Sequence, residues 1–292
     1  MMDVQKRIKE FAEVVSGLRK LLQNKMYIEI KTPVIRKTTS KPFPRVSVNG
    51  FDKYLRDSME LSLRYNLKYL DRIYEIGPCF RNEKNSANHL NEFTMLELYS
   101  KNETLNDLID LSIEIINDLN ISLPIKRISV AKKIAEDFNI DLEKNDDSIL
   151  AAKLRKEYET DVPDYVVINK YIEENIEILS EGNIAILFDY PISTISGAKR
   201  KDNTIGIINR FEIFINSIEV FHGYEDECNL SLYKGRSEKV DLFNYEEKII
   251  YNELETNSLP NVSVGLGIGV ERLCMSKYNV SDIIEYHFSN NF

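Results

Sequence analysis

The stretch FRNEKNSANHLNEFTMLEL, residues 80–98, places a polar loop between two segments in which apolar residues alternate with polar or small ones. RIYEIGPCF before the loop and EFTMLELYS after it predict a long antiparallel hairpin over about residues 72–100. Arg81 and Glu83 lie at its mouth, and Glu97 lies on the returning strand. A charge within such a strand pair costs stability unless something pairs with it. We therefore expect these side chains to face a partner or a ligand.

The composition is that of an ordinary globular protein of 292 residues, 43% hydrophobic and 29% charged. No segment approaches the roughly 18 uncharged apolar residues of a membrane span, and the charged start is not a signal peptide. Cys79, Cys228 and Cys274 lie far apart, which favours a reducing compartment over a disulfide framework or a zinc site. A net charge of -9 argues against a dedicated nucleic-acid binder. We expect a cytoplasmic protein with no membrane contact.

The order of predicted elements favours an α+β fold, with an antiparallel β-sheet flanked by helices. Apolar residues at helical spacing predict a first helix over residues 4–24. Thr104 and Asp107 form a capping-box pattern at the start of another helix. Residues 124–182 are rich in lysine and glutamate and predict a helical insertion beside the sheet, with further strands after it. The sequence contains no linker, so we expect a single domain over residues 1–292.

A second hairpin is predicted in RFEIFINSIEVF, with its turn at Asn216 and Ser217. In this register Phe214 lies opposite Glu219, and Glu212 is diagonal to Glu219 on the same face. Diagonal neighbours are roughly 7–8 Å apart, so the two carboxylates can share a ligand. Two carboxylates on an apolar face repel each other unless a cation bridges them, and Mg²⁺ with a nucleotide phosphate is the obvious candidate. The alternative is an exposed edge with two solvated glutamates.

The segment VGLGIGVERLCM places Gly265, Gly267 and Gly269 at a period of two. Alternating glycines remove the side chains from one face of a strand and let a flat ligand or another backbone approach closely. The strand then enters a helix with Arg272 in its first turn, where the helix dipole favours an anion. The alternative is a tightly packed corner between a strand and a helix.

Together these segments resemble the catalytic core of class II aminoacyl-tRNA synthetases. MYIEIKTP resembles motif 1, FRNE with NEFTMLE resembles motif 2, and GLGIGVERL resembles motif 3, so the resemblance covers nearly the whole chain. FRNE, EFTMLELY, FDYP and FEIFINSIEVFHGY are most similar to the lysyl (class IIb) branch and its stand-alone paralogues. EIGPCFRNE with HLNEFTML also resembles the pyrrolysyl enzyme. By analogy, motif 1 implies a homodimer.

The resemblance implies an ATP site. Arg81 would hold the α-phosphate and stabilise the charge that develops there, and Arg272 would stack on the adenine from one side. Phe93 would stack on the other side of the ring, and Glu83 would accept from the adenine amino group. His89 would meet the triphosphate from the loop. The resemblance implies that Arg81 and Arg272 are the catalytic residues. It also implies that Glu212 and Glu219 bind Mg²⁺.

The resemblance also implies an amino-acid pocket. Its residues would be Glu60, Glu97, Tyr99, His222, Tyr224 and Asp226. Glu60 matches the glutamate that takes the substrate α-amino group in the lysyl branch. Asp226 matches the carboxylate for the side-chain ammonium, with Tyr99 as its phenol partner. An aspartate-type enzyme is expected to use an arginine near Asp226, and the sequence has none between Arg210 and Arg236. A cationic substrate side chain is therefore expected.

Several positions depart from the lysyl pattern. Asn88 replaces an arginine of the loop, His222 an asparagine and Tyr224 a phenylalanine, while Asp226 is one methylene shorter than the expected glutamate. These changes favour a longer, bulkier or rearranged basic amino acid. Glu219 and His222 differ in strand parity, so both can face the site only through a β-bulge, which we place near Gly223.

The expected function is ATP-dependent activation of a basic amino acid by an AMP-forming, synthetase-like ligase that acts as a stand-alone core. The sequence starts almost at motif 1, so no anticodon-binding domain is expected. The acceptor stays open between tRNA, a protein and a small molecule. The alternatives are a genuine synthetase that recognises only the acceptor stem, an asparagine-synthetase-like ligase, and an inactive amino-acid-sensing paralogue.

Overall fold

The computed structural model describes residues 4–37, 45–50, 52–194, 197–239 and 245–288. The strands are β1 (Ile28–Glu29), β2 (Ile35–Arg36), β3 (Tyr54–Leu55), β4 (Arg72–Phe80), β5 (Glu92–Lys101), β6 (Ile125–Ser129), β7 (Ile184–Pro191), β8 (Ile207–Ile215), β9 (Ile218–Glu225) and β10 (Ser263–Gly269). The α-helices are α1 (Val4–Asn24), α2 (Glu60–Asn66), α3 (Leu105–Asp118), α4 (Val130–Phe138), α5 (Ser148–Glu157), α6 (Asp164–Asn175), α7 (Leu230–Lys239), α8 (Tyr245–Glu255) and α9 (Val270–Tyr278). Within the described ranges, no helix is both long and apolar enough to cross a membrane.

In the described part of the chain, the main sheet runs β1-β4-β5-β10-β9-β8-β7-β6, and β2 pairs with β3 separately. From β4 to β7 in this order, every neighbouring pair is antiparallel. This confirms the predicted α+β fold with an antiparallel core. The outer pairs, β1 with β4 and β6 with β7, are parallel, which the sequence did not predict. Both outer strands are short, and their first residues are exposed, so they lack a clear hydrophobic pattern.

The two faces of the sheet have different roles. On one face, Leu96 and Leu98 of β5 join a core built with α1, α3 and α9. Successive side chains of a strand point to opposite faces. Met95, Glu97 and Tyr99 therefore lie on the other face, where they line a large cavity. Helices α1, α3 and α9 thus cover one side of the sheet, and part of the other side stays open for a ligand.

The first hairpin confirms the predicted strand pair and shows how its internal charges are paired. Glu75 of β4 lies opposite Glu97 of β5, and both side chains are buried. Glu75 accepts from the guanidinium of the fully buried Arg56 at 2.7 Å. Glu97 accepts from the Ser58 hydroxyl and the Met59 backbone N–H, both at 2.9 Å. The segment between β3 and α2 therefore satisfies both carboxylates, as buried charges require.

The segment predicted as a helical insertion, residues 124–182, contains α4, α5 and α6 as expected. It begins with β6, however, which extends the main sheet beside β7. Its helices share a second hydrophobic core with the side chains of β7 and β8. The segment is therefore integrated into the sheet at its start and is not merely attached to its side. The predicted capping box of α3 is present, with the Thr104 N–H 2.7 Å from a carboxylate oxygen of Asp107.

Candidate active site

A cavity of about 1110 Å³ lies on the open face of the sheet, over β5, β8, β9 and β10. The sequence-predicted site residues that line it are Glu60, Arg81, Glu83, His89, Phe93, Glu97, Tyr99, Glu212, Glu219, His222, Tyr224 and Arg272. Asp226 does not line it. The three alternating glycines of β10 also lie in its wall. A Cβ on Gly265 would come within 2.4 Å of the Tyr99 ring, so close packing accounts for this glycine.

Arg81 follows the last residue of β4 and lies at the mouth of the first hairpin. Its guanidinium carbon is 5.2 Å from the centroid of the Phe93 ring on β5. Its backbone N–H donates to the Asn91 carbonyl at 2.9 Å, and the Asn91 amide donates back to the Arg81 carbonyl at 3.0 Å. The sequence did not single out Asn91. It closes the loop and so positions Arg81 and the neighbouring Glu83.

Arg272, in the first turn of α9, links the hairpin loop to β9. Its Nε donates to the Asn88 carbonyl at 3.0 Å, and its Nη1 lies 3.0 Å from a carboxylate oxygen of Glu219. Asn88 takes part through its backbone, so this contact does not depend on the side chain that departs from the lysyl pattern. Burial lowers the pKa of His89, and the positive charges of Arg272 and Arg81 lower it further. Both guanidiniums therefore act on the same histidine and line the same cavity.

Glu212, Glu219 and His222 form one cluster, with a potential ligand atom of each within 4.8 Å of the others. Burial, together with Arg210, lowers the pKa of His222 to about 3, so the imidazole is neutral. Its Nε2 is buried and has no hydrogen-bond partner. Two carboxylates and a neutral imidazole suit a divalent cation, because the carboxylates supply the hard oxygen ligands that Mg²⁺ prefers.

The second hairpin turns at Asn216 and Ser217, as predicted, and both residues have positive φ. The predicted β-bulge is present, but its position is corrected. Phe214 pairs with Glu219 and Ile213 pairs with Phe221, so the extra residue is Val220 and not Gly223. This bulge brings Glu219 and His222 to one face of the sheet despite their different parity.

Several residues of this part of the cavity were missed by the sequence analysis. Glu212 accepts from the Tyr190 hydroxyl at 2.6 Å and also from the guanidinium of Arg210. Arg210 and Glu212 are two residues apart on β8, so their side chains point to the same face of the sheet. This spacing could have identified Arg210 as a site residue from the sequence. Glu173 of α6 and Glu177 after it also line the cavity, although the sequence predicted only a helical insertion beside the sheet there. Burial, with Glu212 and Glu219 nearby, raises the pKa of Glu177 to about 8.

The opposite part of the cavity contains Glu60 and Glu97. Glu60 is the first residue of α2, and its carboxylate accepts from the Tyr224 hydroxyl. Burial raises the pKa of each carboxyl group to about 7, and the charge of Glu60 adds to the shift of Glu97. Two carboxylates near one another, one buried and one partly buried, favour a bound cation or a shared proton.

The structure places Asp226 in a buried ion pair that the sequence did not predict. Its side chain is fully buried, a carboxylate oxygen lies 3.3 Å from Nε of Arg64, and the other oxygen accepts from the Ser263 hydroxyl. The sequence argument considered only arginines close to Asp226 in the chain. Arg64 comes from α2, so only the three-dimensional fold brings it to this position. Asp226 thus already has a cationic partner, Arg64, which itself lines the cavity.

Glu247 of α8 is a further cavity carboxylate that the sequence analysis missed. It accepts a hydrogen bond from the hydroxyl of Tyr233 on α7. Burial and the charge of Glu60 raise its pKa to about 8. No motif marks this position, because α8 lies between the segments that resemble motifs and its sequence is that of an ordinary amphipathic helix.

These carboxyl groups predict a pH dependence of stability. Glu60, Glu97 and Glu247 ordinarily titrate near 4.5 but hold protons to about pH 7–8 when folded. The folded state therefore binds more protons than the unfolded state across this window, and the free energy of unfolding falls as pH rises. We expect the Tm to decrease between about pH 5 and pH 8, with a shallower slope in Glu97→Gln. Thermal melts test this, with the exposed Glu136→Gln as a control. A slope unchanged in Glu97→Gln would contradict it.

Comparison with known proteins identifies the family. A family described as tRNA synthetases class II (D, K and N) matches residues 2–288. A lysine–tRNA ligase of Saccharolobus solfataricus is 28% identical, over 94% of this chain and 62% of that protein. Lysine–tRNA ligases of Prochlorococcus marinus and Fusobacterium nucleatum are 27% and 28% identical, over 97% and 90% of this chain and 63% and 60% of theirs. The chain thus spans about three fifths of the length of these relatives. It belongs to the class II tRNA synthetases of the D, K and N group.

Proposed function

We propose that this chain activates a basic amino acid with ATP. The amino-acid carboxylate attacks the α-phosphorus, a bond forms between the carboxylate oxygen and that phosphorus, and the bond to the bridging oxygen breaks. The products are an aminoacyl adenylate and pyrophosphate. No protein nucleophile is needed, so alignment and charge stabilisation carry the catalysis. A transfer step to an acceptor then releases AMP.

One observation carries this proposal: a single cavity joins a guanidinium end to a carboxylate end. Arg81 and Arg272 lie at the first, where a triphosphate needs positive charge. Glu60 and Glu97 lie at the second, where an ammonium group needs negative charge. A nucleotide and a cationic amino acid can therefore meet within one cavity.

Each side chain at the nucleotide end of the cavity has its own proposed role. Arg81 is placed to hold the α-phosphate and the charge that develops on it. Phe93 and Arg272 are placed to stack on the two faces of the adenine, and Glu83 to accept from its amino group. Arg272 must exchange its present partner, Glu219, for the nucleotide. Glu212 and Glu219 would hold Mg²⁺, which supplies charge neutralisation to the phosphates when bound.

The acceptor is proposed to be tRNA. The relatives described above are named lysine–tRNA ligases, but the chain spans only about three fifths of their length. Charging of a lysine-accepting tRNA, with binding that weakens as salt rises, would support a tRNA acceptor. Adenylate formation without charging of any tRNA would instead favour a protein or a small molecule. Homodimer formation also stays a prediction, and light scattering can test it.

Pyrophosphate exchange with a panel of amino acids tests the proposed activity. The panel contains lysine, β-lysine, ornithine, arginine, pyrrolysine analogues, aspartate and asparagine. We expect ATP formation with one or more of the basic amino acids and none with aspartate or asparagine. Exchange with aspartate alone would refute the basic substrate. Exchange with no amino acid would refute the activity and favour an amino-acid-sensing paralogue.

A further inference from the structure

The tip of the loop in the first hairpin, Ser86–His89, depends on outside contacts for its position. The Ser86 N–H donates to the His89 carbonyl at 2.9 Å, and the Ser86 hydroxyl lies 2.9 Å from Nδ1 of His89. Apart from Asn88, which is partly buried, the residues of the tip are exposed, so packing contributes little to their position. The placement of His89 at a nucleotide therefore depends on what holds this tip.

Two hydrogen bonds, from α9 and from the segment after it, hold the tip. Arg272 donates to the Asn88 carbonyl at 3.0 Å, and the Ile283 N–H donates to the Ala87 carbonyl at 2.8 Å. Nucleotide binding affects the two bonds differently. Arg272 is a side chain that is proposed to leave Glu219 for the nucleotide, whereas Ile283 donates from its backbone. The Ile283 N–H is therefore the contact that can hold the tip throughout nucleotide binding.

Ile283 begins a 3₁₀ turn, Ile283–Tyr286, that is anchored to α1. Ile283 and Tyr286 are each only 3% exposed. The Tyr286 hydroxyl donates at 2.9 Å to the carboxylate of Glu10, which is itself buried in α1. Arg7 donates to the same carboxylate at 2.8 Å. A long helix of the main core thus fixes the turn that holds the loop.

The position of Ile283 at the start of this turn leaves its N–H available for the loop. The first N–H groups of a helical segment have no acceptor within the segment. Asp282, the preceding residue, caps the turn by accepting from the Ile284 N–H at 3.0 Å. The bond from Ile283 to Ala87 can therefore be removed without breaking the bonds of the turn itself.

We propose that the 283–286 turn is a positioning element of the nucleotide site, which acts through the bond from Ile283 to Ala87. The turn holds the tip of the loop, and the loop places His89 at the triphosphate. Loss of this support weakens ATP binding and leaves amino-acid binding at the carboxylate end of the cavity unchanged. This inference rests on the proposed function and extends its nucleotide site to a segment outside those that resemble motifs.

Ile283→Pro tests the inference, because proline has no N–H. Asp282 has φ -134° and ψ 119°, which suits a residue before proline, and proline is well tolerated at the first position of a helical segment. Ile283→Val is the reference variant, since it also alters the side chain but keeps the N–H. We expect Ile283→Pro to raise the Kd of a non-hydrolysable ATP analogue by about 3- to 10-fold relative to Ile283→Val, as for a lost hydrogen bond. Calorimetry without an amino acid measures this Kd.

A second variant removes the anchor of the turn instead of its bond to the loop. Tyr286→Phe loses the hydroxyl that donates to Glu10, and we expect a smaller rise in the same Kd. Tyr171→Phe is the matched control, because Tyr171 is also buried, donates to the carboxylate of Asp137 and does not line the cavity. In pyrophosphate exchange, the KM for ATP should rise in Ile283→Pro and Tyr286→Phe, while the KM for the amino acid should not.

Equal nucleotide Kd values in Ile283→Pro and Ile283→Val would overturn the inference, as would equal rises in the two KM values. If Ile283→Pro does not fold, the comparison of Tyr286→Phe with Tyr171→Phe decides the question. A wild-type chain that binds no nucleotide would overturn the inference together with the proposed function. Weaker nucleotide binding in Ile283→Pro, without exchange by the wild type, would support the inference and refute the proposed activity. Exchange by the wild type, with nucleotide binding unaffected in Ile283→Pro, would do the reverse.

Discussion

Replacing Arg81 with alanine is expected to lower the rate of pyrophosphate exchange by about 100- to 1000-fold, as the loss of a preorganised donor to a developing charge does elsewhere. Its loop is closed by Asn91, and its guanidinium lies near Phe93 at the mouth of the first hairpin. A group held in place before the reaction costs no reorganisation during it, so its removal should reduce kcat more than it raises the KM for ATP.

Arg127→Ala is the matched control, because Arg127 is an exposed arginine on the edge strand β6 and does not line the cavity. Circular dichroism and thermal melts should show both variants folded. An Arg81→Ala variant that exchanges pyrophosphate as fast as Arg127→Ala would contradict the assigned role. A rate restored at saturating ATP would reduce that role to ground-state binding.

Replacing Glu219 with glutamine is expected to produce the second large loss. Glu219 is half-exposed, so the isosteric change should fold, but it removes a charge from the cluster with Glu212 and His222. We expect the Mg²⁺ concentration required for half-maximal exchange to rise by at least about 10- to 100-fold, the loss seen when even an indirect partner of a metal ligand is removed. Magnesium titrations of the exchange rate measure this shift.

Glu225→Gln is the control on the same strand, since Glu225 pairs with Lys199 at 2.8 Å and does not line the cavity. Calorimetric titration of the nucleotide-free chain with Mn²⁺ gives a second readout that does not depend on activity. Equal magnesium requirements in Glu219→Gln and Glu225→Gln would contradict a cation at the Glu212–Glu219 cluster.

Local patterns predicted the hairpins, α1, the α3 cap and the strand that leads into α9, because each depends on residues close together in sequence. The alternation of β5 puts Phe93, Glu97 and Tyr99 on one face of the strand, and the cavity lies there. The β-bulge was predicted from parity but misplaced at Gly223, because parity shows that an extra residue is needed and not where along the strand it lies. A Cβ at Gly223 would come within 2.6 Å of the Phe211 ring, so this glycine serves packing.

Long-range pairing accounts for what the sequence could not predict. Arg64 and Asp226 are 162 positions apart in the chain and meet only in the fold, so the sequence could not show that Asp226 has an arginine partner. Glu247 and Glu177 reach the cavity from helices whose sequences carry no motif. Strand β6 joined the sheet through parallel pairing at its edge, which its exposed residues did not indicate.

A crystal structure with a non-hydrolysable ATP analogue and Mg²⁺ tests the central claim most directly. We expect the adenine between the Phe93 ring and the Arg272 guanidinium, and the α-phosphate within hydrogen-bonding distance of Arg81. Arg272 should then have left the carboxylate of Glu219. A nucleotide bound elsewhere, or one that touches only one of the two arginines, would contradict the claim that both guanidiniums serve a single nucleotide site.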